Sequence, residues 1–186
     1  SYTTFFFFFS GFNNQGNYNT FYGSESGYSN TTGANNTFIG GLAGYLTTIG
    51  INNVFLGRNA GYNNVSGNDN IFIGASSGNA NTTGTKNIAI GFNSHVGTNL
   101  TNAIAIGNSA ATTVSNSLVL GGTGINAVKV GIGTNAPTAE LDVFGYTKLG
   151  NDAPKIRMKK MTSTLTAFGN GSTTFNHGLT SSKILQ

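Results

Sequence analysis

The chain has 186 residues, 8% of them charged, a net charge of +4, 28 glycines, two prolines, and no cysteine or tryptophan. The absence of cysteine excludes disulfides and thiolate metal sites. Gly, Asn, Thr and β-branched residues dominate, and runs of good helix formers are missing, so an all-β chain is expected. No apolar run reaches the roughly 18 residues of a membrane-spanning helix, so no membrane insertion is expected.

The N-terminus carries Phe5-Phe6-Phe7-Phe8-Phe9. Just beyond it, Ser10-Gly11-Phe12-Asn13-Asn14 matches Ser26-Gly27-Tyr28-Ser29-Asn30 at a spacing of 16. Residues 1–16 therefore read as an atypical capping coil over Thr3 to Asn14, with Phe7 in place of a turn glycine. Three readings of the Phe run stand side by side: an apolar plug or strand donated to a neighbour, an atypical terminal repeat, or uncertainty in that stretch of sequence.

From residue 17 to 122 one phrase recurs, clearest as Asn53-Val54-Phe55-Leu56-Gly57 and Asn70-Ile71-Phe72-Ile73-Gly74. The closing glycines Gly23, Gly40, Gly57, Gly74, Gly91, Gly107 and Gly121 are 17, 17, 17, 17, 16 and 14 residues apart. A fixed period of this kind marks a solenoid. Each coil reads strand, turn, short strand, turn, and stacking at about 4.8 Å makes seven coils a rod about 35 Å long. Three residues after the closing Gly stand Ser26, Ala43, Ala60, Ser77, Ser94 and Ala110, small enough for a tight inner corner. Further glycines stand four residues after it (Gly27, Gly44, Gly61, Gly78) and ten after it (Gly33, Gly50, Gly67, Gly84). They are expected to supply positive-φ turns or close approaches between coils. Asn19, Asn36, Asn53, Asn70 and Asn87, four before the Gly, are placed to stack as an amide ladder.

Strand alternation divides the rest. The residues three and one before the Gly, such as Val54 and Leu56 or Ile71 and Ile73, share a face and are aliphatic, so they are expected inside. Between them lie Phe21, Phe38, Phe55, Phe72, Ala89, Ala105 and Val119. Alternation then points this set outward, and a stripe of four phenylalanines in water is unusual for a soluble monomer. Phe21, Phe38, Phe55, Phe72, Ala89 and Ala105 are therefore the expected oligomer interface, with a flattened coil that buries both faces as the alternative. Tyr28, Tyr45 and Tyr62 recur at one turn, either as a surface that contacts glycans or as a brace for the corner.

Ile88-Ala89-Ile90-Gly91 and Ala103-Ile104-Ala105-Ile106-Gly107-Asn108-Ser109-Ala110 resemble the head repeats of trimeric autotransporter adhesins. Asn59-Ala60-Gly61-Tyr62 is similar to repeats of phage tail fibres and secreted bacterial fibre proteins. The resemblance covers roughly residues 17 to 122. It implies a left-handed parallel β-roll with three chains to a head.

Beyond Gly122 the period fails. Residues 123–150 include Val130-Gly131-Ile132-Gly133-Thr134, then Pro137, then Leu141-Asp142-Val143-Phe144-Gly145. This stretch resembles the segment that joins shaft to distal domain in trimeric tail fibres, a β neck. From 151 to 186, alternation over Lys155-Ile156-Arg157-Met158-Lys159, the hairpin signal Asn170-Gly171 and a strand-like Thr173–Leu179 predict the start of a small antiparallel β domain that continues beyond Gln186. Six of the nine basic residues lie at or beyond Lys148. Lys155, Arg157 and Lys159 are candidate contacts to anionic surfaces, or else a charged edge that blocks strand addition.

No catalytic constellation is legible. His95 and His177 lack neighbouring ligands, Glu140 and Asp142 form an ordinary solvated strand face, and Gly131-x-Gly133 precedes no helix, so it is no dinucleotide fingerprint. No catalytic residue, metal or cofactor is expected, and no nucleic-acid partner. The whole reads as an all-β, trimeric β-roll of about 17-residue coils with a neck and a distal domain. The expected role is non-enzymatic: an extracellular fibre on a cell surface, virion or tail appendage, with itself and a host glycan or protein as partners. The alternative is a filament subunit that polymerises by strand donation through its Phe-rich end.

Overall fold

A computed structural model describes residues 4–145, 147–148 and 155–156, with side chains from 7 to 145. It forms one compact unit through Phe144 and a second from Gly145. The first is a parallel β-solenoid. Its strands are β1 (Thr4–Phe6), β2 (Thr20–Tyr22), β3 (Thr37–Ile39), β4 (Val54–Leu56), β5 (Ile71–Ile73), β6 (Ile88–Ile90), β7 (His95–Val96), β8 (Ala103–Ile106), β9 (Ala111–Thr112) and β10 (Ser117–Leu120). Eight of them pair in the order β1-β2-β3-β4-β5-β6-β8-β10. Register is strict: Phe21 pairs with Phe38, Phe38 with Phe55, Phe55 with Phe72, and Phe72 with Ala89. The first coil is present, since Phe5 pairs with Phe21 and Phe7 takes the turn position with a φ of 89°.

Which face is inside is the reverse of the expectation. Phe21, Phe38, Phe55 and Phe72 have no exposed surface, and neither have Ala89 and Ala105. The aliphatic files flanking them are half-buried or exposed. The expected Phe interface is therefore corrected: these rings fill the interior of their own chain. The cause is the narrow bore. Each coil has room for one flat ring lying on the next, and the rings stack at 5.1, 4.7 and 4.9 Å with interplanar angles of 21°, 4° and 7°. The glycine four residues after each closing Gly provides that room. A Cβ at Gly27 would stand 2.7 Å from the Phe21 ring, and one at Gly61 2.5 Å from the Phe55 ring.

In the last coils the bore is filled differently. Ala89 and Ala105 replace the ring, and His95 and Ala111 stand at the position of that glycine. There the chain forms a second parallel pair, His95 to Ala111 and Val96 to Thr112. Buried Val96 joins the core with Leu100 packed against it, bringing volume from the opposite wall.

The Asn file lies on the same inner face and ties coils together. Asn19 Oδ1 accepts from the backbone N–H of Asn36 at 2.9 Å, Asn36 from Asn53 at 2.9 Å, Asn53 from Asn70 at 3.0 Å, Asn70 from Asn87 at 3.0 Å, and Asn87 from Ala103 at 2.9 Å. Each Nδ2 donates to a turn carbonyl: Asn36 to Gly50 at 2.8 Å and Asn53 to Gly67 at 2.8 Å. The expected side-chain ladder thus runs mainly through the backbone, which satisfies groups that would be costly to bury alone. The glycines accepting these bonds do not have positive φ. They are close approaches, and a Cβ on Gly50 would lie 2.6 Å from the Gly67 carbonyl oxygen.

A second Asn file runs beside the first, with Asn30, Asn64 and Asn81 fully buried and Asn30 and Asn81 donating to the same Gly33 and Gly84 carbonyls as Asn19 and Asn70. Asn81 Nδ2 donates to Asn64 Oδ1 at 2.8 Å, and Asn30 Nδ2 to Asn14 Oδ1 at 3.0 Å. Thr47 interrupts this file. Its Oγ1 and the Oδ1 of Asn30 are buried without a partner.

After β10 the chain turns through Gly124–Asn126 and makes a parallel pair, β11 (Val130–Ile132) with β12 (Leu141–Val143). The Asp142 carboxylate accepts from the Thr138 N–H at 2.9 Å and its hydroxyl at 3.1 Å, holding the intervening loop. In the second unit β13 (Thr147–Lys148) pairs antiparallel with β14 (Lys155–Ile156). The strand expected at Thr173–Leu179, the Asn170-Gly171 hairpin, His177, Arg157 and Lys159 lie outside the described residues.

Candidate interaction surfaces

With the rings inside, the outer face of the eight-stranded sheet presents two aliphatic files. One runs through Val54, Ile71, Ile88, Ile104 and Leu118, the other through Ile39, Leu56, Ile73, Ile90, Ile106 and Leu120. Thr20, Thr37 and Tyr22 complete them toward the N-terminus, and no charged residue stands at any of these positions. Ile71 and Ile106 are each 38% exposed, and Leu118 58%. By strand spacing the strip is about 35 Å long and about 10 Å wide. A continuous strip of that size marks an interaction site more often than idle surface. The residues forming it are those assigned to the core from sequence, so alternation located the faces correctly and their chemistry was assigned the wrong way round.

A second surface runs along one corner of the rod. Tyr28, Tyr45 and Tyr62 are brought into one row, extended at its start by Phe12. Ring centroids are 5.4 Å apart for Phe12 and Tyr28, 5.2 Å for Tyr28 and Tyr45, and 5.1 Å for Tyr45 and Tyr62, with interplanar angles of 6°, 14° and 10°. Parallel stacking covers the ring faces and leaves edges and hydroxyls outward, so a sugar has no open face to lie on between successive rings. Burial, then the carboxylate of Glu25 and the neighbouring Tyr62 and Tyr28, push the Tyr45 phenol above its ordinary value. Lys155, a candidate contact to anionic surfaces, belongs to the second unit.

The first coil makes a third feature. Phe7, Phe8, Phe9 and Phe12 are exposed there, with Phe7 set edge-on to Tyr22 at 5.0 Å and Phe9 edge-on to Phe12 at 5.1 Å. Strand Thr4–Phe6 is already paired with β2 of its own chain, so it is not a loose strand awaiting a partner.

Among the described residues no group of three His, Cys, Asp or Glu is close enough to hold a metal ion. The half-buried His95 sits in β7 with its Nδ1 3.2 Å from the Asn93 carbonyl oxygen. Among the described residues no helix is long and apolar enough to cross a membrane.

No family model, curated protein or solved structure matches this chain. The aliphatic strip and the tyrosine row therefore carry the functional argument by their own chemistry.

Proposed function

We propose that the chain is a non-enzymatic shaft segment of an extracellular fibre, on a cell, virion or tail appendage, that assembles from three identical copies and serves in surface attachment. The copies meet through the aliphatic strip. The observation that carries this reading is the uncharged double file of Val, Ile and Leu on the outer sheet face, continuous across the coils and uncovered by the rest of the described chain. Identical copies are the natural cover, because the strip repeats the same residue types in register at every coil. Three is the number implied by the resemblance to autotransporter heads. The stretch after Gly122 supports the same reading. Ile132, Leu141 and Phe144 are more than half exposed around a two-stranded pair, and two strands alone make a marginal structure in water.

Light scattering on the full chain tests this. The expected mass is three times the 19.2 kDa of one chain. Ile71→Asp with Ile73→Asp places carboxylates in the middle of the strip and is expected to give monomers that retain the β circular-dichroism signal. A wild-type chain that stays at monomer mass at tens of micromolar overturns the shared-face reading.

A further inference from the structure

We propose that the Tyr28-Tyr45-Tyr62 row is a binding site for an extended β-1,4-linked glycan lying along the row, held edge-on by the phenol hydroxyls. The row has three properties that a ligand must match. Successive ring centroids stand 5.2 and 5.1 Å apart along the row, a spacing set by the stacked coils. An extended β-1,4-linked hexose chain advances one sugar over very nearly that distance, so consecutive sugars meet consecutive tyrosines without drifting out of step. A β-strand lying along the rod advances about 3.3 Å per residue and loses register at once.

The second property is chemical. Among the described residues the Tyr28, Tyr45 and Tyr62 hydroxyls make no hydrogen bond, and none of them is among the buried polar atoms left without a partner. None of the three hydroxyls is therefore fully buried, and each can meet a ligand. A phenol hydroxyl both donates and accepts. That suits a chain whose successive sugars turn over, offering the C6 hydroxymethyl at one step and the C2 and C3 substituents at the next.

The third property is charge. Among the described residues, the ionised group that acts on the central Tyr45 is the carboxylate of Glu25. The row therefore favours an uncharged polymer over nucleic acid or a polyanionic glycan. Because the faces of the rings are spent on each other, recognition is by hydroxyls at a repeat, not by stacking on an aromatic platform.

This deepens the attachment half of the proposed function and does not depend on which face the copies share. Calorimetric titration of the full chain with chitohexaose and cellohexaose is the test, with the α-1,4-linked maltohexaose as comparison. Binding of one or both β-1,4 hexasaccharides is expected, with affinity rising from disaccharide to trisaccharide and levelling soon after, since three hydroxyls are available. The two probes separate N-acetylated from plain chains. Tyr45→Phe keeps the ring stack and removes the central hydroxyl, and it is expected to weaken binding several-fold to tenfold with unchanged circular dichroism. No binding of either β-1,4 probe, equal binding of maltohexaose, or a Tyr45→Phe chain that binds as tightly as wild type overturns the site. A trimer that ignores both glycans removes this site alone, and a monomer that binds them removes the shared face alone.

Discussion

Thr47→Asn is expected to stabilise the solenoid. Position 47 belongs to the file Asn30, Asn64, Asn81, and it interrupts that file between two amides. Two buried atoms are unpartnered as a result, the Thr47 hydroxyl and Asn30 Oδ1. The intact steps show what an amide does there: Asn81 Nδ2 reaches Asn64 Oδ1 at 2.8 Å and the Gly84 carbonyl at 3.2 Å. An amide at 47 would reach Asn30 Oδ1 and the Gly50 carbonyl in the same way, and would offer its own oxygen to Asn64. Each buried unpartnered group costs about 1–3 kcal/mol. Satisfying two, less the rotamer freedom lost in fixing a longer side chain, leaves about 2 kcal/mol. For a unit of this size that raises Tm by about 4–8 °C. Thermal and urea melts of wild type, Thr47→Asn and Thr47→Val separate the contributions. The valine variant removes only the orphaned hydroxyl and is expected to change Tm less. A Thr47→Asn chain that melts at or below the wild-type temperature refutes the registered-file argument.

The remaining expectations use the same melts. Phe55→Ala removes one ring from a stack with rings on both sides and is expected to cost about 3–5 kcal/mol, while Gly61→Ala, which drives a methyl into that ring, is expected to be no milder; a Phe55→Ala chain as stable as wild type would mean that the bore does not close on the rings. Lys86→Asn relieves a lysine held at a φ of 58° in a corner file otherwise rich in Asn, and is expected to gain up to about 1 kcal/mol, read as a higher urea midpoint. The Tyr45 phenol is raised from 10.0 in the fold, so the folded state holds its proton more tightly than the unfolded chain does. Stability from this group is intact below pH 10.0 and falls as pH rises through the raised value; Tyr45→Phe is expected to flatten that alkaline loss in a series of melts from pH 9 to 12.

The repeat, the parallel stacking, the small inner corner and the anomalous first coil were all legible, because each rests on period alone. Which side of the strand faces inward was not. Aliphatic character argued for Val54 and Leu56 as core, and the assignment failed for a steric reason that the sequence did carry. Wherever the middle strand residue is Phe, the residue six later is Gly: Phe21 with Gly27, Phe38 with Gly44, Phe55 with Gly61, Phe72 with Gly78. Where the middle residue becomes Ala89 or Ala105, that glycine becomes His95 or Ala111. Such paired change is the mark of two residues sharing one space. The Asn set also has the parity of the Phe set, and an Asn bonded to the next coil's backbone must face inward. The tyrosine row was visible as a recurrence, but nothing in the sequence said that the rings would cover one another. That follows from coils stacked in register, with successive rings tilted by only 6° to 14°.

Because equivalent residues pair directly from coil to coil over β2 to β6, each coil repeats the last in register. A duplication or loss of 17 codons in this part of the gene would add or remove one rung from the bore, the aliphatic strip and any aromatic row together, leaving every remaining contact as it was. Length in this molecule can therefore be adjusted in whole steps, as a ladder is, without redesign of any surface it presents.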